Sequence, residues 1–248
     1  MSKLIVLFCI YSFLGWLWES FYYILMERKW KDHGFLFGPI CPIYGFGAIA
    51  VSFVIKNISF FDMQDKFYNL KIFLFACIGT AIMEYVTSYV LEKWFHAIWW
   101  DYSKVPLNIK GRIAFPTTLG FGVAGLILPK ALIFPIEDKI NLLSNNFYDP
   151  IAFFIVALIG ADMALTISTL TDFNKRVTEF NTRFNEKMSN TVDSVLTVKE
   201  KIIDSNVERF LNSKDFIYKN ALKRVKFFRT KNQNKQGIFN KIKNSFKK

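Results

Sequence analysis

Three carboxylates stand inside long apolar runs of the sequence, where an ionisable side chain is least expected: Glu19, Glu84 and Asp162. Placing such a group in the apolar part of a membrane costs roughly 2.5 to 3.5 kcal/mol, so its presence points to binding, proton transfer or a strong internal contact. Glu19 and Glu84 are candidates for contacting a polar substrate. Asp162 has no partner that the sequence identifies, although Arg112 or Lys130 would suit if either could reach it.

A four-residue spacing places polar side chains on one face of each of two predicted helices. The two sets are Glu84, Ser88 and Glu92, and Tyr11, Gly15 and Glu19. Residues four apart share a helix face, so we expect both faces to turn inward. Gly15 would let another helix or a ligand approach closely.

Two interpretations of these carboxylates stay open on sequence grounds. In the first, tyrosine hydroxyls, Arg112 or shared protons satisfy them, and they only hold the helices together. In the second, they line a polar cavity that opens to the cytoplasm or to lipid headgroups. One of them would then stay protonated, because burial disfavours the charged form of a carboxyl group.

Helices that cross a bilayer are needed to position these groups. The 248 residues are 52% hydrophobic and 18% aromatic, which exceeds the apolar share of soluble domains. Five apolar runs approach the roughly 20 helical residues that cross about 30 Å of hydrocarbon, at residues 4–26, 38–55, 72–91, 115–135 and 150–170. The sequence therefore predicts an all-α integral membrane protein with about five transmembrane helices, in residues 1–172, and a long cytoplasmic C-terminal helical tail.

The distribution of charge predicts the orientation of the spans in the cell membrane. Residues 1–172 carry 13 Lys and Arg against 13 Asp and Glu, whereas residues 173–248 carry 19 against 7. Because basic segments stay in the cytoplasm, we expect a cytoplasmic C-terminus and, with five spans, an external N-terminus. The loops at residues 27–37 and 92–114 are then cytoplasmic, and their basic residues agree with that.

Two connecting segments are predicted to be more than plain helix or loose loop. HGFLFGPICPIYGFG, residues 33–47, contains four glycines and two prolines, which predicts a bent or re-entrant start to the second span. The segment after the third span carries tryptophans that suit the headgroup level. An aromatic belt does not explain the polar residues that cluster there, so we expect a folded loop that caps the helices. Its candidate site residues are Trp100, Asp101, Tyr102, Asn108 and Arg112.

No motif for metal, nucleotide or covalent chemistry accompanies these groups. The three cysteines lie singly in apolar runs, as small buried hydrophobes do. His96 lacks a second histidine at a metal-binding spacing, and there is no P-loop, GxGxxG or GxSxG. We therefore expect no metal or cofactor and no intrinsic ATP hydrolysis.

The tail is predicted as an amphipathic helix over residues 173–236, followed by a basic amphipathic segment over residues 237–248. Apolar residues recur at steps of three or four from Phe173 to Ile202, so fifth span and tail are predicted to form one nearly continuous rod. A second chain, a fold-back or a partner protein would bury this stripe, and self-association ranks first because the stripe approximates a heptad. The basic segment suits anionic lipid headgroups, and nucleic-acid binding is the weaker use of its charge.

Three motifs together resemble one family. SFLGWLWES, GFLFGPICPIYGFGAI and EYVTSYVLEKWFHAIWWDYSKVPLNIKGRI, in that order, are similar to the bacterial ABC-transporter permease family of the CmpB type (ABC-transporter type IV) over residues 5–135. The resemblance implies the membrane-spanning part of an ABC transporter, with ATP hydrolysed by a separate subunit. This sequence departs from the family pattern at Phe121-Gly122, where the family has tryptophan-glycine. The positions implied to carry function are Glu19, Pro39, Tyr44, Gly45, Glu84, Glu92, Trp100, Asp101, Tyr102, Asn108, Gly111 and Arg112.

From residues and resemblance together we expect a permease-like protein with a polar cavity near the cytoplasmic side. Its predicted substrate-binding residues are Glu19, Tyr44, Glu84, Ser88, Glu92, Trp100, Asp101, Tyr102, Asn108 and Arg112. Five spans are few for a transporter, which favours a homo-oligomer. One alternative is a membrane scaffold or sensor that recruits partners through its helical tail. Another is a membrane enzyme acting on lipid or envelope precursors, with Glu84 and Asp101 as acid and base.

Overall fold

The computed structural model describes residues 1–27, 34–62, 64–189 and 227–228, and these residues are mostly helical. The helices are α1 (Ser2–Glu27), α2 (Pro42–Asn57), α3 (Tyr68–Phe95), α4 (Phe115–Leu128), α5 (Phe134–Asn141) and α6 (Asn145–Ser189). A short 3₁₀ turn covers Ser59–Phe61, and a π-helical turn, Pro129–Ile133, joins α4 to α5. The described residues also contain four two-residue strands: β1 (Ala97–Ile98), β2 (Asn108–Ile109), β3 (Ile113–Ala114) and β4 (Phe227–Phe228).

Among the described residues, four helical stretches are long and apolar enough to cross a membrane: Ser2–Leu25, Tyr68–Phe95, Phe115–Asn141 and Asn146–Asp172. They match the first, third, fourth and fifth predicted spans. The predicted count of five is not confirmed, because α2 has 16 residues. At about 1.5 Å per residue it reaches about 24 Å, short of the roughly 30 Å of a hydrocarbon core.

The glycine- and proline-rich segment explains why α2 is short. Residues 34–41 are irregular, as predicted, and Pro42 opens α2 at the first helical position, where its missing N–H costs nothing. The backbone N–H of Cys41 donates to the carbonyl of Ser12, near the middle of α1 (3.0 Å). Leu36 is completely buried. The irregular segment therefore lies beside the middle of α1, and α2 begins there.

The fourth predicted span ends later than expected. Pro129 and Pro135 each lack the N–H that an α-helix interior needs. The chain accommodates Pro129 with the π-helical turn and continues through α5 to Asn141. Because α6 begins at Asn145, only residues 142–144 separate the two helices. Glu137 on α5 is buried and forms an ion pair with Lys56 at the end of α2.

Helices pack closely where glycine faces a neighbour. A Cβ added at Gly15 would overlap the ring of Tyr44, and one at Gly45 would overlap the hydroxyl of Ser12. Between α3 and α4, a Cβ at Gly125 would overlap the methyl group of Ala76. Small residues of this kind let membrane helices approach until their backbones nearly touch. The outward faces instead carry large apolar side chains that suit lipid.

Contacts divide the chain into two units. One comprises Met1–Val90 with Trp100–Ala164, and the other Leu91–Trp99 with Leu165–Lys248. In the second unit β1 pairs antiparallel with β4, with Ala97 opposite Phe228. Helix α6 runs without a break from the fifth span to Ser189, so the start of the predicted rod is helical.

The helix predicted over residues 173–236 requires correction at Phe227–Phe228, which form strand β4. Aromatic residues have a strong preference for strands, and here a pairing partner outweighs the helical spacing. Residues 190–226 and 229–248 lie outside the described residues. The amphipathic stripe and the basic segment at residues 237–248 therefore stay predictions there.

Candidate functional site

The first carboxylate of the site is Glu19 on α1, which pairs with Tyr44 on α2. The Tyr44 hydroxyl donates a hydrogen bond to Glu19 Oε1. Gly15 lies one turn before Glu19 and gives the tyrosine ring its space, since any side chain there would overlap the ring. Gly15 and Glu19, four residues apart on one face of α1, therefore both contact Tyr44 and let α2 pack closely against α1.

The second carboxylate is Glu84 on α3, which pairs with Tyr102 in the loop after that helix. The Tyr102 hydroxyl donates to Glu84 Oε1 (3.1 Å). Glu84 is only 6% exposed. Its other oxygen, Oε2, is fully buried and has no hydrogen-bond partner within the described part of the chain. Buried carboxylate oxygens are normally satisfied, so an unpaired one marks a position where a ligand or a proton belongs.

The two pairs lie within electrostatic reach of one another. Burial raises the pKa of the Tyr102 phenol well above its ordinary value, and the charge of Glu84 raises it further. Glu19 and Tyr23 act on the same phenol in the same direction, which requires them to be near it. We name Glu19, Tyr44, Glu84 and Tyr102 the carboxylate–tyrosine cluster. Among the described residues, neither carboxylate of the cluster has a basic partner.

A folded loop holds Tyr102 in place, as the sequence predicted. The carboxylate of Asp101 accepts hydrogen bonds from the backbone N–H and the hydroxyl of Ser103 (2.9 and 3.0 Å). The side-chain amide of Asn108 donates to the carbonyl of Val105 (2.8 Å), and its oxygen accepts from the N–H of Gly111 (3.0 Å). The backbone N–H of Tyr102 itself donates to the carbonyl of Gly111 (2.8 Å).

The hairpin within this loop depends on one glycine. Strands β2 and β3 pair antiparallel, and the turn between them has positive φ at Lys110 (53°) and Gly111 (69°), as tight hairpins do. A Cβ at Gly111 would also come within 2.7 Å of Asp101 Oδ1. Gly111 and Arg112, both among the positions that the resemblance implies, thus lie in the turn of the hairpin to which the backbone of Tyr102 is bonded.

Trp100 and Arg112 are bonded to each other within the loop, and Arg112 faces α3. The indole N–H of Trp100 donates to the carbonyl of Arg112 (2.9 Å). The guanidinium of Arg112 lies over the rings of Tyr85 (5.3 Å) and Tyr89 (5.1 Å), a cation–π arrangement. Beside it is a wide, open apolar depression of about 240 Å³, lined by Ala81, Ile82, Tyr85, Val86 and Ile113.

The remaining predicted site residues lie further along α3. Ser88 is buried one turn after Glu84. Glu92 is half-buried, and its carbonyl accepts a hydrogen bond from the N–H of His96 (2.9 Å), where the helix ends. The structure thus brings four of the ten predicted residues into the cluster. It places four others, Trp100, Asp101, Asn108 and Arg112, in the loop that supports it.

Comparison with known families decides what kind of protein this is. A family model described as Putative ABC-transporter type IV matches residues 6–167, about two thirds of the chain. The chain belongs to this family. The resemblance seen in the sequence is confirmed, and the match reaches beyond residue 135 through most of the fifth apolar run. No curated protein and no solved structure matches the chain.

In this type IV family member the matched region includes Asp162, whose partners the sequence did not identify. Its carboxylate accepts hydrogen bonds from the backbone N–H groups of Phe37 and Gly38 (2.8 and 2.7 Å). Lys130, one of the two basic residues considered as a partner, lies over the ring of Tyr68 (5.6 Å). The sequence did contain a signal for this contact. Asp162 is an acid in the middle of a span, and the glycine- and proline-rich segment has backbone N–H groups that need acceptors.

Proposed function

We propose that the protein is the membrane-spanning, permease-like component of an ABC-type transport system. Membership of the type IV family supports a component of such a system. The observation that carries the proposal is the buried Glu84, which keeps one oxygen unpaired near a second, half-buried carboxylate, Glu19. A structural carboxylate would be expected to use both oxygens. We propose that the cluster is where substrate is contacted.

The surrounding residues fit this role as support and extension. The loop with Trp100, Asp101, Asn108 and Arg112 fixes the position of Tyr102. Ser88 and Glu92 extend the polar face of α3 toward the end of the helix that precedes this loop. The basic residues of the loop favour the cytoplasmic side. We therefore propose that a polar cavity opens near that side of the membrane.

A second pass through the membrane is proposed for residues 34–57. The irregular segment 34–41 lies beside the middle of α1, and irregular backbone at that depth is tolerated when protein buries it. With α2 it would complete one crossing. Five crossings then put the N-terminus outside and the basic tail in the cytoplasm, in contact with anionic headgroups.

ATP would be hydrolysed by a separate subunit, because the sequence contains no P-loop. The test is affinity purification of the tagged full-length chain from its native membranes in mild detergent. We expect it to recover a subunit with a P-loop and to show ATPase activity, with the chain as a homo-oligomer. A monomer that brings down no ATP-binding subunit would contradict the proposal.

Substitution of Glu84 tests whether the cluster belongs to the transport cycle. In that purified assembly we expect Glu84→Gln to lower ATPase activity about tenfold, because a charged contact that shapes the cycle is lost. Asp138→Asn is the matched control, since Asp138 is an exposed acid on α5. Equal activity of the two variants at equal protein level would remove the cluster from the mechanism.

The continuity of α6 supports a second candidate, a membrane scaffold. This helix extends from the fifth span to Ser189 without a break, as an arm that recruits partners would. Deleting residues 174–248 separates the two candidates. A scaffold loses its partners with the tail, whereas a permease keeps its ATPase assembly.

A further inference from the structure

Charge in the carboxylate–tyrosine cluster is unbalanced. Glu19 and Glu84 each accept one hydrogen bond from a phenol, Tyr44 and Tyr102 respectively. Neither is paired with Lys, Arg or His in the parts of the chain that the structure describes. A buried and a half-buried carboxylate without a counter-charge are disfavoured when both are ionised, so we expect a positive group to join them in that state.

An unpaired atom shows where that positive group would bind. Glu84 Oε2 is buried and free of hydrogen bonds among the described residues, while Oε1 is held by Tyr102. Tyr102 fixes the carboxyl group of Glu84 and leaves Oε2 available as an acceptor. Glu84 also lies within electrostatic range of Glu19. A donor that carries positive charge would satisfy this oxygen and the electrostatics together.

The residue types favour an ammonium group over a metal ion. Within the described residues no group of three or more His, Cys, Asp or Glu is arranged to hold a metal, and hard cations take six or more oxygen ligands. An ammonium group needs only a few acceptors and binds favourably to aromatic faces. Tyr44 and Tyr102 lie in the cluster and Tyr23 is close by. Carboxylates with several tyrosines are the environment such a group selects.

We propose that the carboxylate–tyrosine cluster binds the ammonium group of an amine, with Glu84 Oε2 as its principal acceptor and Glu19 as the second charge. Amine-bearing molecules are then the substrate class, a statement that rests on the proposed transport function. The binding itself does not depend on it. The amine could belong to a free small molecule or to a lipid headgroup, and both present the same chemistry.

The test is calorimetric titration of the full-length chain in nanodiscs made only of phosphatidylglycerol. The probe is n-butylammonium chloride, with sodium chloride at equal ionic strength as the reference. We expect saturable binding of butylammonium and none of sodium. Glu84→Gln should weaken binding about tenfold or more, since a hydrogen bond to a charged group is removed. Asp138→Asn should bind like the unaltered chain.

A milder pair of variants keeps the test decisive if Glu84→Gln fails to fold. Tyr102→Phe retains the ring but releases Glu84 Oε1, and we expect weaker binding. Tyr22→Phe is its control, because Tyr22 is exposed on α1. Equal responses to sodium and butylammonium would overturn the proposal, as would full binding by both cluster variants. Stability that depends on pH through Glu84, without any amine binding, would overturn it in favour of a proton.

Lipid composition separates the two sources of the amine. Nanodiscs containing phosphatidylethanolamine should weaken butylammonium binding if the headgroup occupies the site, and should leave it unchanged if the ligand is a free amine. The transport proposal fails separately. If the chain binds the amine but recovers no ATP-binding subunit, the amine site is supported and the transport proposal is contradicted. If it recovers an ATP-binding subunit but does not bind the amine, the transport proposal is supported and the amine site is contradicted.

Discussion

Asp162 holds the irregular segment 34–41 through two backbone N–H groups. These donors belong to a segment without regular secondary structure, and burying them unpaired would cost about 1 to 3 kcal/mol each. Both oxygens of one carboxylate satisfy them at once. Gly38 allows this approach, because a Cβ there would lie 2.9 Å from Asp162 Oδ2. The acid is therefore an anchor for backbone at the depth where α2 begins.

We predict that Asp162→Asn loosens this segment. Asparagine offers one acceptor oxygen where aspartate offers two, so one of the two amides loses its bond. Stability should fall by about 1 to 3 kcal/mol, and hydrogen exchange at the amides of Phe37 and Gly38 should speed up. Asp138→Asn, which removes an exposed charge, should change neither. Unaltered exchange at both amides in Asp162→Asn would show that the carboxylate does not hold the segment.

The acids inside the apolar runs show what is readable from sequence at the scale of single residues. The cost of a charge in a membrane predicts that Glu19, Glu84 and Asp162 each need a partner, and the structure gives each of them one. The identity of the partners was not readable for Asp162. It depends on which helix packs beside which loop, and the backbone N–H groups that fill the role leave no mark of their own in a sequence.

At the scale of helices, glycine decides how close α3 and α4 can come. Gly125 faces Ala76, and a Cβ there would overlap the alanine methyl group. Gly120, on the same helix, has nothing within 4 Å of the place where a Cβ would stand. The two glycines thus form a matched pair, one inside the helix interface and one outside it.

We predict opposite effects of alanine at these two positions. Gly125→Ala should destabilise the protein by about 1 to 3 kcal/mol. The Cβ of Ala76 is fixed to the backbone and cannot move away from the new methyl group unless the helices separate. Gly120→Ala should be neutral or stabilising by up to about 1 kcal/mol, since alanine favours helix. Thermal unfolding of both variants in the same detergent measures this. A Gly125→Ala variant as stable as Gly120→Ala would mean that the helices are not packed this closely.

The apolar runs predicted where the membrane-spanning helices lie, but they did not predict where the fourth span ends or that a strand forms near the C-terminus. The fourth apolar run predicted a span that ends at Pro135, yet the helical chain continues to Asn141. A π-helical turn accommodates Pro129, and burial of Glu137 against Lys56 of α2 stabilises the extension. Such an ion pair joins residues far apart in sequence. The strand at Phe227–Phe228 was not predicted for a similar reason, because its partner β1 precedes it by more than a hundred residues.

At the scale of the whole molecule, contacts at one end of the first unit indicate the direction of α2. Lys56, at the end of α2, pairs with Glu137 of α5. The ammonium of Lys3, at the start of α1, reaches the carbonyl of Asn141 (3.5 Å), and the hydroxyl of Ser2 donates to Asp149 (2.5 Å). The end of α2 therefore lies with the start of α1. Such a return fits a second crossing by residues 34–57.

Side-specific labelling tests this crossing. In a chain with Cys9, Cys41 and Cys77 replaced by alanine, single cysteines are introduced as Lys66→Cys, Leu143→Cys and Lys104→Cys. Five crossings place residues 66 and 143 outside, so a membrane-impermeant maleimide should label both on intact cells. The Lys104→Cys variant should react only after the membrane is opened, because its loop is basic and cytoplasmic. A fourth variant, Lys31→Cys, tests the loop that precedes the segment, and five crossings make it react like Lys104→Cys. Labelling of Lys31→Cys on intact cells would instead mean that residues 34–57 dip into the membrane and return to the external side.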